Sequence, residues 1–496
     1  MISEINPMCL IDGYKADHRR QYPKGTEFVY SNFTPRQTRV EGVTEIVFFG
    51  LQYFIKEYLI DRWNKGFFNL PKEQVVKAYK RRMNNYLGPD AIPVEHIEEL
   101  HDLGYLPIRI KAVPEGTLVP IGVPPLTITN TIPKFFWLTN YFETLMSNVL
   151  WKPITSATTA FLYRKRFEEY AKRTGYDRSF IQWQGHDFSF RGMSGVEDAL
   201  MSGAGHLLSF TGTDTIPAID FLEMYYNADS DKELIGGSVP ATEHSVMCMG
   251  EKESEIDTFR RLITEIYPSG IVSIVSDTWD FWKVMTEYLP ALKDEIMARN
   301  GRVVIRPDSG EPVRIICGDE ETSASFLTDA QIKGAYELLW DTFGGKINAK
   351  GYKELDPHVG LIYGDSITLQ RQLEILKRLE AKGFAFSNGV LGIGSFTYEY
   401  VTRDTYGFAM KATWGQVNGL PKDIFKNPKT DSGFKKSAKG LLMVYEEEGT
   451  LKLEDRCSRE SEAAGLLDIV FENGVLLRDH TLADIRARVA EKYTNV

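Results

Sequence analysis

The chain has 496 residues, more than one ordinary compact core takes, so two domains, or one barrel with a large addition, are expected. Hydrophobic residues make up 43% and charged residues 25%, a globular composition, and 58 Lys plus Arg against 68 Asp plus Glu give a net charge of -10 that argues against coating nucleic acid. The four cysteines, Cys9, Cys248, Cys317 and Cys457, form no CxxC pair, which suggests neither a disulfide framework nor a zinc site and fits a reducing cytoplasm.

The N-terminal MISEINPMCLIDGYKADH has no basic segment ahead of an apolar core, and no run approaches the length that spans a bilayer. The expected location is therefore cytoplasmic, away from membranes. Residues 44–60 are aromatic-rich and pass into an amphipathic helix, and residues 71–104 are charged with a helical pattern. Over 106–130 the alternation of apolar and polar positions is broken by Pro114, Gly116, Pro120, Gly122 and Pro124, which predicts short antiparallel strands joined by turns. FFWLTNYFETLMSNVLW (135–151) predicts a buried helix leading out of that small β-rich domain.

From about residue 155 the rhythm becomes helix, short strand and loop, repeated. The predicted strands are FSF near 188, IVSIVSD (271–277), RVVIRPD (302–308), VGLIYGD (359–365) and GVLGIGS (389–395), with helices over 253–266, 279–299, 328–342 and 367–382. Such alternation means parallel βαβ units with right-handed crossovers. Three strands end in a carboxylate at the loop boundary, Asp277, Asp308 and Asp365. Taken singly, each is an ordinary helix cap; taken together, they lie where parallel α/β folds build active sites. Beyond residue 400 the alternation stops. Lys422, Lys426, Lys429, Lys435, Lys436 and Lys439 crowd a loop-like stretch that is either a solvated face or a phosphate-binding rim. LMVYEEEGTLKLED and IVFENGVLLRD then predict two hairpins, the second turning at Asn-Gly, that rejoin the N-terminal β domain.

The chain lacks GxxxxGK[ST], a GxGxxG after a first strand, and HExxH. What it has is a series of polar loop clusters: DGYKADH (12–18), HDFSFRG (186–192), TGTDT (211–215), GSVPATEHS (237–245), RPDSG (306–310), YGDS (363–366), GIGS (392–395) and TRD (402–404). They supply cations for phosphates, carboxylates for ribose hydroxyls or Mg2+, and glycines that let backbone N–H groups approach an anion. With aromatic residues beside them, they describe a site for a phosphorylated sugar and a planar base.

In this order along nearly the whole chain, the clusters resemble the nicotinamide phosphoribosyltransferase family, within the type II phosphoribosyltransferases that include nicotinate enzymes. The resemblance implies an α/β fold, an irregular or incomplete α/β barrel with a second β-rich α+β domain formed by the N- and C-terminal parts. On this reading 1–150 is the N-terminal part of the β-rich domain, 151–397 the barrel-like catalytic domain, and 398–496 the phosphate-binding loops and the rest of the β-rich domain. The implied reaction joins nicotinamide to 5-phosphoribosyl 1-pyrophosphate, giving nicotinamide mononucleotide and pyrophosphate in NAD biosynthesis. ATP hydrolysis is coupled through a phosphohistidine. The implied cofactors are Mg2+, held mainly through substrate phosphates with Asp277 as a candidate ligand, and ATP as coupled substrate, with no flavin and no zinc. The implied assembly is a homodimer with shared active sites.

Residue by residue, the resemblance implies that Phe188 and Tyr14 stack on the pyridine, Tyr14 coming from the second subunit, and that Asp214 accepts from the carboxamide, with Ser238 among the substrate-binding residues. Arg191, Arg306 and Asp277 line the pyrophosphate and Mg2+ region, while Asp308, Gly364 and Asp365 hold ribose hydroxyls. Gly394, Ser395, Arg403 and Lys411 grip the 5-phosphate, the last two across the dimer interface, and Arg36, Lys426 and Lys435 contact pyrophosphate or ATP phosphates. His244 is the residue phosphorylated, with Glu243 adjoining it and Asp277 free to approach; the plainer reading is a loop histidine bonded to backbone. His186 reads as structural. Asp214 is a turn former or, under the resemblance, the group that favours nicotinamide by repelling the carboxylate of nicotinate.

The sequence departs from the family pattern at Ser395 and Phe396, where glycines are common, at Ala409 in place of a serine, and at Phe190 in place of a tyrosine. These changes bear on affinity. The alternative within enzymes is a nicotinate phosphoribosyltransferase; a non-catalytic binding module and a metal-dependent hydrolase are further readings, the last needing a His-rich cluster that eight scattered histidines do not supply.

Overall fold

Six strands between residues 185 and 393 lie parallel: β1 (Gly185–Asp187), β2 (Gly212–Thr213), β3 (Ser269–Val275), β4 (Asn300–Arg306), β5 (Val359–Tyr363) and β6 (Gly389–Ile393), in the spatial order β2-β1-β6-β5-β4-β3. A parallel strand is covered on both faces, which is why these segments read as apolar runs. In β4 the period of two sorts the side chains: Val303 and Ile305 point into the helix-covered core, while Arg302, Val304 and Arg306 line a cavity on the other face. The same division puts Val272 and Ile274 outward and Ile271 and Ser273 inward on β3. Outside the sheet, Leu369–Ala381 buries Gln372, Ile375, Leu376 and Leu379, one stripe of a helix with period 3.6.

The sheet curls, and the segment 237–242 reaches both of its edges. Gly237 donates to Thr211 O at 2.8 Å and accepts from Thr213 at 3.0 Å, next to β2; Ser273 of β3 donates to Pro240 O at 2.9 Å and accepts from Thr242 at 3.0 Å. With one parallel bridge on each side, the result is an irregular, incompletely paired barrel around a lumen. The computed structural model describes residues 5–364, 366–425 and 438–494. They form two compact units, one of Met1–Thr158, Leu222–Ala228 and Val401–Val489, the other, which holds this barrel, of Thr159–Phe221, Asp229–Tyr400 and Ala490–Val496.

The first unit is built on a seven-stranded antiparallel sheet in the order Leu420–Asp423, Phe408–Val417, Thr26–Pro35, Leu126–Asn130, Ile108–Ala112, Asp468–Glu472, Val475–Leu476. The predicted C-terminal hairpin does rejoin it: Asp468–Glu472 pairs with Ile108–Ala112, and the turn at Asn473 (φ 49°) and Gly474 (φ 85°) takes the left-handed pair that a tight two-residue hairpin requires. Leu441–Glu447 and Thr450–Cys457 make the other hairpin, as a separate two-stranded sheet.

Besides that separate hairpin, and a break at Gly334 that splits the helix predicted over 328–342 into Asp329–Lys333 and Ala335–Phe343, three departures from the predicted elements concern strands. β1 ends at Asp187, before Phe188, because the Asp187 carboxylate accepts from Ser189 N–H at 2.9 Å and turns the chain. β2 lies inside TGTDT, too short for any periodicity to register. Phe408–Val417, ten residues paired along Thr26–Pro35, falls where the alternation was expected simply to end. Among the described residues no helix is long and apolar enough to cross a membrane.

Candidate active site

The lumen of the barrel contains a cavity of about 640 Å³, and its lining includes Phe188, Asp214 and Arg306 at the C-terminal ends of strands and Ser238 from the segment 237–242. Phe188 follows β1, with its N–H held by Ile393 O at 3.0 Å. Asp214 follows β2, its N–H held by Asp187 O at 2.9 Å. Its carboxylate Oδ1 receives two donors, His186 Nε2 at 2.8 Å and Ser238 Oγ at 3.0 Å. Burial pushes the Asp214 carboxyl upward, but the His186 hydrogen bond and charge, the Ser238 hydroxyl and the Arg306 charge together hold it below the ordinary carboxylate value.

At the ends of β3 and β4 a carboxylate organises the neighbouring loop. Asp277 Oδ2 accepts from Asp308 N–H at 2.8 Å, Ser309 N–H at 2.7 Å and Ser309 Oγ at 2.6 Å. Three donors on one oxygen fix the RPDSG turn, which is why the chain leaves β4 through Pro307, Asp308, Ser309 and Gly310 in one conformation. Oδ1 of Asp277 is buried with no hydrogen-bond partner among the described residues and lies 4.0 Å from His244 Nε2. His244 opens the helix His244–Met249, is half exposed, and holds Thr278 Oγ1 at 3.1 Å through Nδ1. Glu243 is occupied by the Ser245 hydroxyl, so Asp277 is the carboxylate beside the ring. Arg306 Nε is buried and has no partner among the described residues.

Gly364, after β5, is packed so closely that an added Cβ would meet Asp308 Oδ1 at 2.2 Å. Gly394 follows β6 and precedes the short helix Ser395–Tyr398. Ser395, one of the departures noted above, is accommodated by Gly192: a Cβ there would meet the Ser395 hydroxyl at 2.1 Å. Arg191 is exposed in the turn Phe190–Gly192.

The second unit thus holds Phe188, Asp214, Asp277, Arg306, Asp308, Gly364, Gly394 and Ser395 at or just past strand ends, Arg191 in the turn after β1, Ser238 in the segment 237–242 and His244 at the start of the helix that follows it. Tyr14, Arg36, Arg403 and Lys411 belong to the first unit. There Tyr14 is 60% exposed with Lys15 over its ring, Arg403 pairs with Asp404 at 3.3 Å, and Arg36 and Lys411 line a second cavity of about 390 Å³ together with Ala409. Asp365, Lys426 and Lys435 lie outside the described residues. No group of three or more His, Cys, Asp or Glu among the described residues is arranged to hold a metal ion. Sequence reasoning missed Thr278 and Ser309 as partners of His244 and Asp277, and the hydrogen bond of His186 to Asp214; only the alternation of lumen-facing positions could have flagged the last.

The profile of the nicotinate phosphoribosyltransferase (NAPRTase) family matches residues 183–474, more than half of the chain. The chain belongs to this family of pentosyltransferases. Within it, residues 6–110 match the nicotinamide phosphoribosyltransferase N-terminal domain. The nicotinamide phosphoribosyltransferase of Acinetobacter baylyi is 58% identical over 503 residues, covering 99% of this chain and 98% of the relative. That of Xanthomonas campestris pv. campestris is 34% identical, covering 97% of each. Among solved structures, nicotinate-nucleotide pyrophosphorylase from Pyrococcus furiosus superposes with a TM-score of 0.56 at 15% identity over 99% of this chain and 97% of that one. Human nicotinic acid phosphoribosyltransferase gives 0.52 at 14% over 98% and 94%. Identities this low speak to the fold alone.

Proposed function

We propose that the chain transfers the phosphoribosyl group of 5-phosphoribosyl 1-pyrophosphate to nicotinamide, giving nicotinamide mononucleotide and pyrophosphate for NAD biosynthesis, with ATP hydrolysis coupled through phosphorylated His244. The observation that carries the choice of base is the Asp214 carboxylate on the cavity wall near Phe188, in a chain 58% identical to a nicotinamide phosphoribosyltransferase. An ionised carboxylate accepts the carboxamide N–H and repels the carboxylate of nicotinate.

Positive charge grows at the ribose C1 as pyrophosphate leaves, so the reaction calls for positioning and anion stabilisation more than for a strong base. In this reading Arg306 and Arg191 receive the departing pyrophosphate, Asp308 orients the ribose hydroxyls, and Gly394 and Ser395 bind the 5-phosphate. Phe188 stacks on the pyridine. Mg2+ would be held by substrate phosphates and Oδ1 of Asp277, and would supply neutralisation of leaving-group charge; a carboxylate oxygen that has no donor among the described residues suits that share. With Nδ1–H donating to Thr278, Nε2 of His244 carries the lone pair that forms the N–P bond as the bond from the γ-phosphorus to ADP oxygen breaks. The nearby Asp277 carboxylate offsets the charge that develops on the ring. Tyr14, Arg403 and Lys411 reach the site from the second subunit of a homodimer, and Arg36 contacts pyrophosphate or ATP phosphates.

The test is product formation from nicotinamide, phosphoribosyl pyrophosphate and Mg2+, with and without ATP, in the parent and in His244→Ala. The parent is expected to gain from ATP and to hold acid-labile labelled phosphate, and His244→Ala to lose both. Preferential turnover of nicotinate would refute the assignment of the base.

A further inference from the structure

His186 is among the titratable side chains that line the lumen and have no task in the reaction proposed above. His186 lies on β1 in the register position opposite Gly392 of β6 and Gly212 of β2, with 7% of its surface exposed. Its ring is held from two sides. The Phe188 ring lies at a centroid distance of 4.4 Å, and Gly212 has no Cβ, which would otherwise stand 2.8 Å from Nδ1. Held there, the ring aims Nε2 at Asp214 Oδ1, 2.8 Å away. A carboxylate has no proton to give, so the ring is the donor at this contact. Ser238 Oγ donates to the same oxygen at 3.0 Å. Among the described residues, Oδ2 of Asp214 receives no donor, so both protein contacts fall on one oxygen and the other is left to a ligand.

We infer that His186 is a positioning residue for base selection: its Nε2–H, together with Ser238, pins Oδ1 of Asp214 so that Oδ2 stays ionised and turned to the carboxamide of the base. The inference rests on the reading of Asp214 given above. Its physical content is that an aspartate on a two-residue strand end, half exposed, has rotational freedom that one strong hydrogen bond removes. Without the donor, the carboxylate swings or takes up a proton. A protonated carboxyl donates as well as accepts, so it no longer tells an amide from a carboxylate. The lowered carboxyl of Asp214, held down in part by His186, agrees with this geometry. Gly212 belongs to the same device, since any side chain there displaces the ring.

The experiment compares His186→Phe, which keeps an aromatic ring but has no donor, with His186→Gln, whose side-chain N–H reaches toward the same oxygen. Steady-state constants for nicotinamide and for nicotinate are measured for both, for Asp214→Ala and for the double variant His186→Phe/Asp214→Ala. We expect His186→Phe to raise the KM for nicotinamide about tenfold with kcat changed much less, and to lower the nicotinamide-to-nicotinate ratio of kcat/KM by at least as much, the usual size of one charge-assisted hydrogen bond. His186→Gln recovers most of the ratio, and the double variant is no worse than Asp214→Ala. If Asp214→Ala lowers the ratio but His186→Phe does not, or if His186→Gln is as impaired as His186→Phe, the role of His186 is overturned and the role of Asp214 stands. If Asp214→Ala itself leaves the ratio unchanged, the reading of Asp214 falls first.

Discussion

At the scale of single residues, the site depends on close approaches that only missing atoms permit. Gly364 is not held at a positive φ, yet a methyl group there meets Asp308 Oδ1 at 2.2 Å. Gly364→Ala is therefore expected to push Asp308 off its position and lower kcat/KM for phosphoribosyl pyrophosphate at least tenfold, about 1.4 kcal/mol, while shifting the melting temperature little. Equal kcat/KM values in variant and parent would remove Asp308 from ribose binding. Asp214→Ala is expected to lose preference for nicotinamide over nicotinate, measured as relative kcat/KM for the two bases. Much at this scale was legible in the sequence, because strand-end carboxylates and glycines in RPDSG and YGDS are chemically conspicuous. His186 was not. A histidine beside Asp187 and Phe188 is indistinguishable from a core histidine until pleating assigns it to the lumen face and brings Asp214, 28 residues on, against its ring.

At the scale of elements, two devices join the strands into a barrel. One is the segment 237–242. Thr242 Oγ1 accepts from Val275 N–H at 2.9 Å, and Thr242 N–H donates to Ser273 O, so this one residue pins the closing segment to β3. Thr242→Val leaves the buried Val275 N–H unpaired and is expected to cost about 1–2 kcal/mol in denaturant unfolding, with Thr242→Ser near the parent. The other is His206, at the end of the helix Val196–His206, which links Gly212 O at 2.9 Å to the Tyr398 hydroxyl at 2.7 Å. Burial lowers its pKa to about 4, against about 6.5 in an unfolded chain. Above pH 6.5 both states hold it neutral and it adds no pH dependence. As pH falls from about 6.5 to about 4, the unfolded chain takes up a proton that the folded chain refuses, and stability drops by up to about 3 kcal/mol across that window. His206→Gln is expected to flatten this slope; an unchanged slope would show that other groups carry it. The closing segment escaped sequence reading because GSVPATEHS has no strand periodicity: one bridge on each side holds it, and both partners are remote in the chain.

At the scale of the whole molecule, the proposal of shared active sites is open to a complementation test. Asp308→Ala and Arg403→Ala are each expected to be inactive alone, since each removes a group from every site. Co-expressed, their mixed dimers contain one site free of both changes, and random pairing predicts about a quarter of parent activity. Full inactivity of the mixture would mean that Asp308 and Arg403 serve a site from one chain. The sequence by itself determined the parallel α/β rhythm, the antiparallel hairpins and the chemical character of the loops, because periodicity, turn residues and charge are local properties. Only the tertiary structure decided which side chains of a strand face the lumen, that Asp277 rather than Glu243 stands beside His244, and that the edges of a six-stranded sheet are joined through 237–242. Those are contacts between residues far apart in the chain, set by strand order and pleat, and no local pattern encodes them.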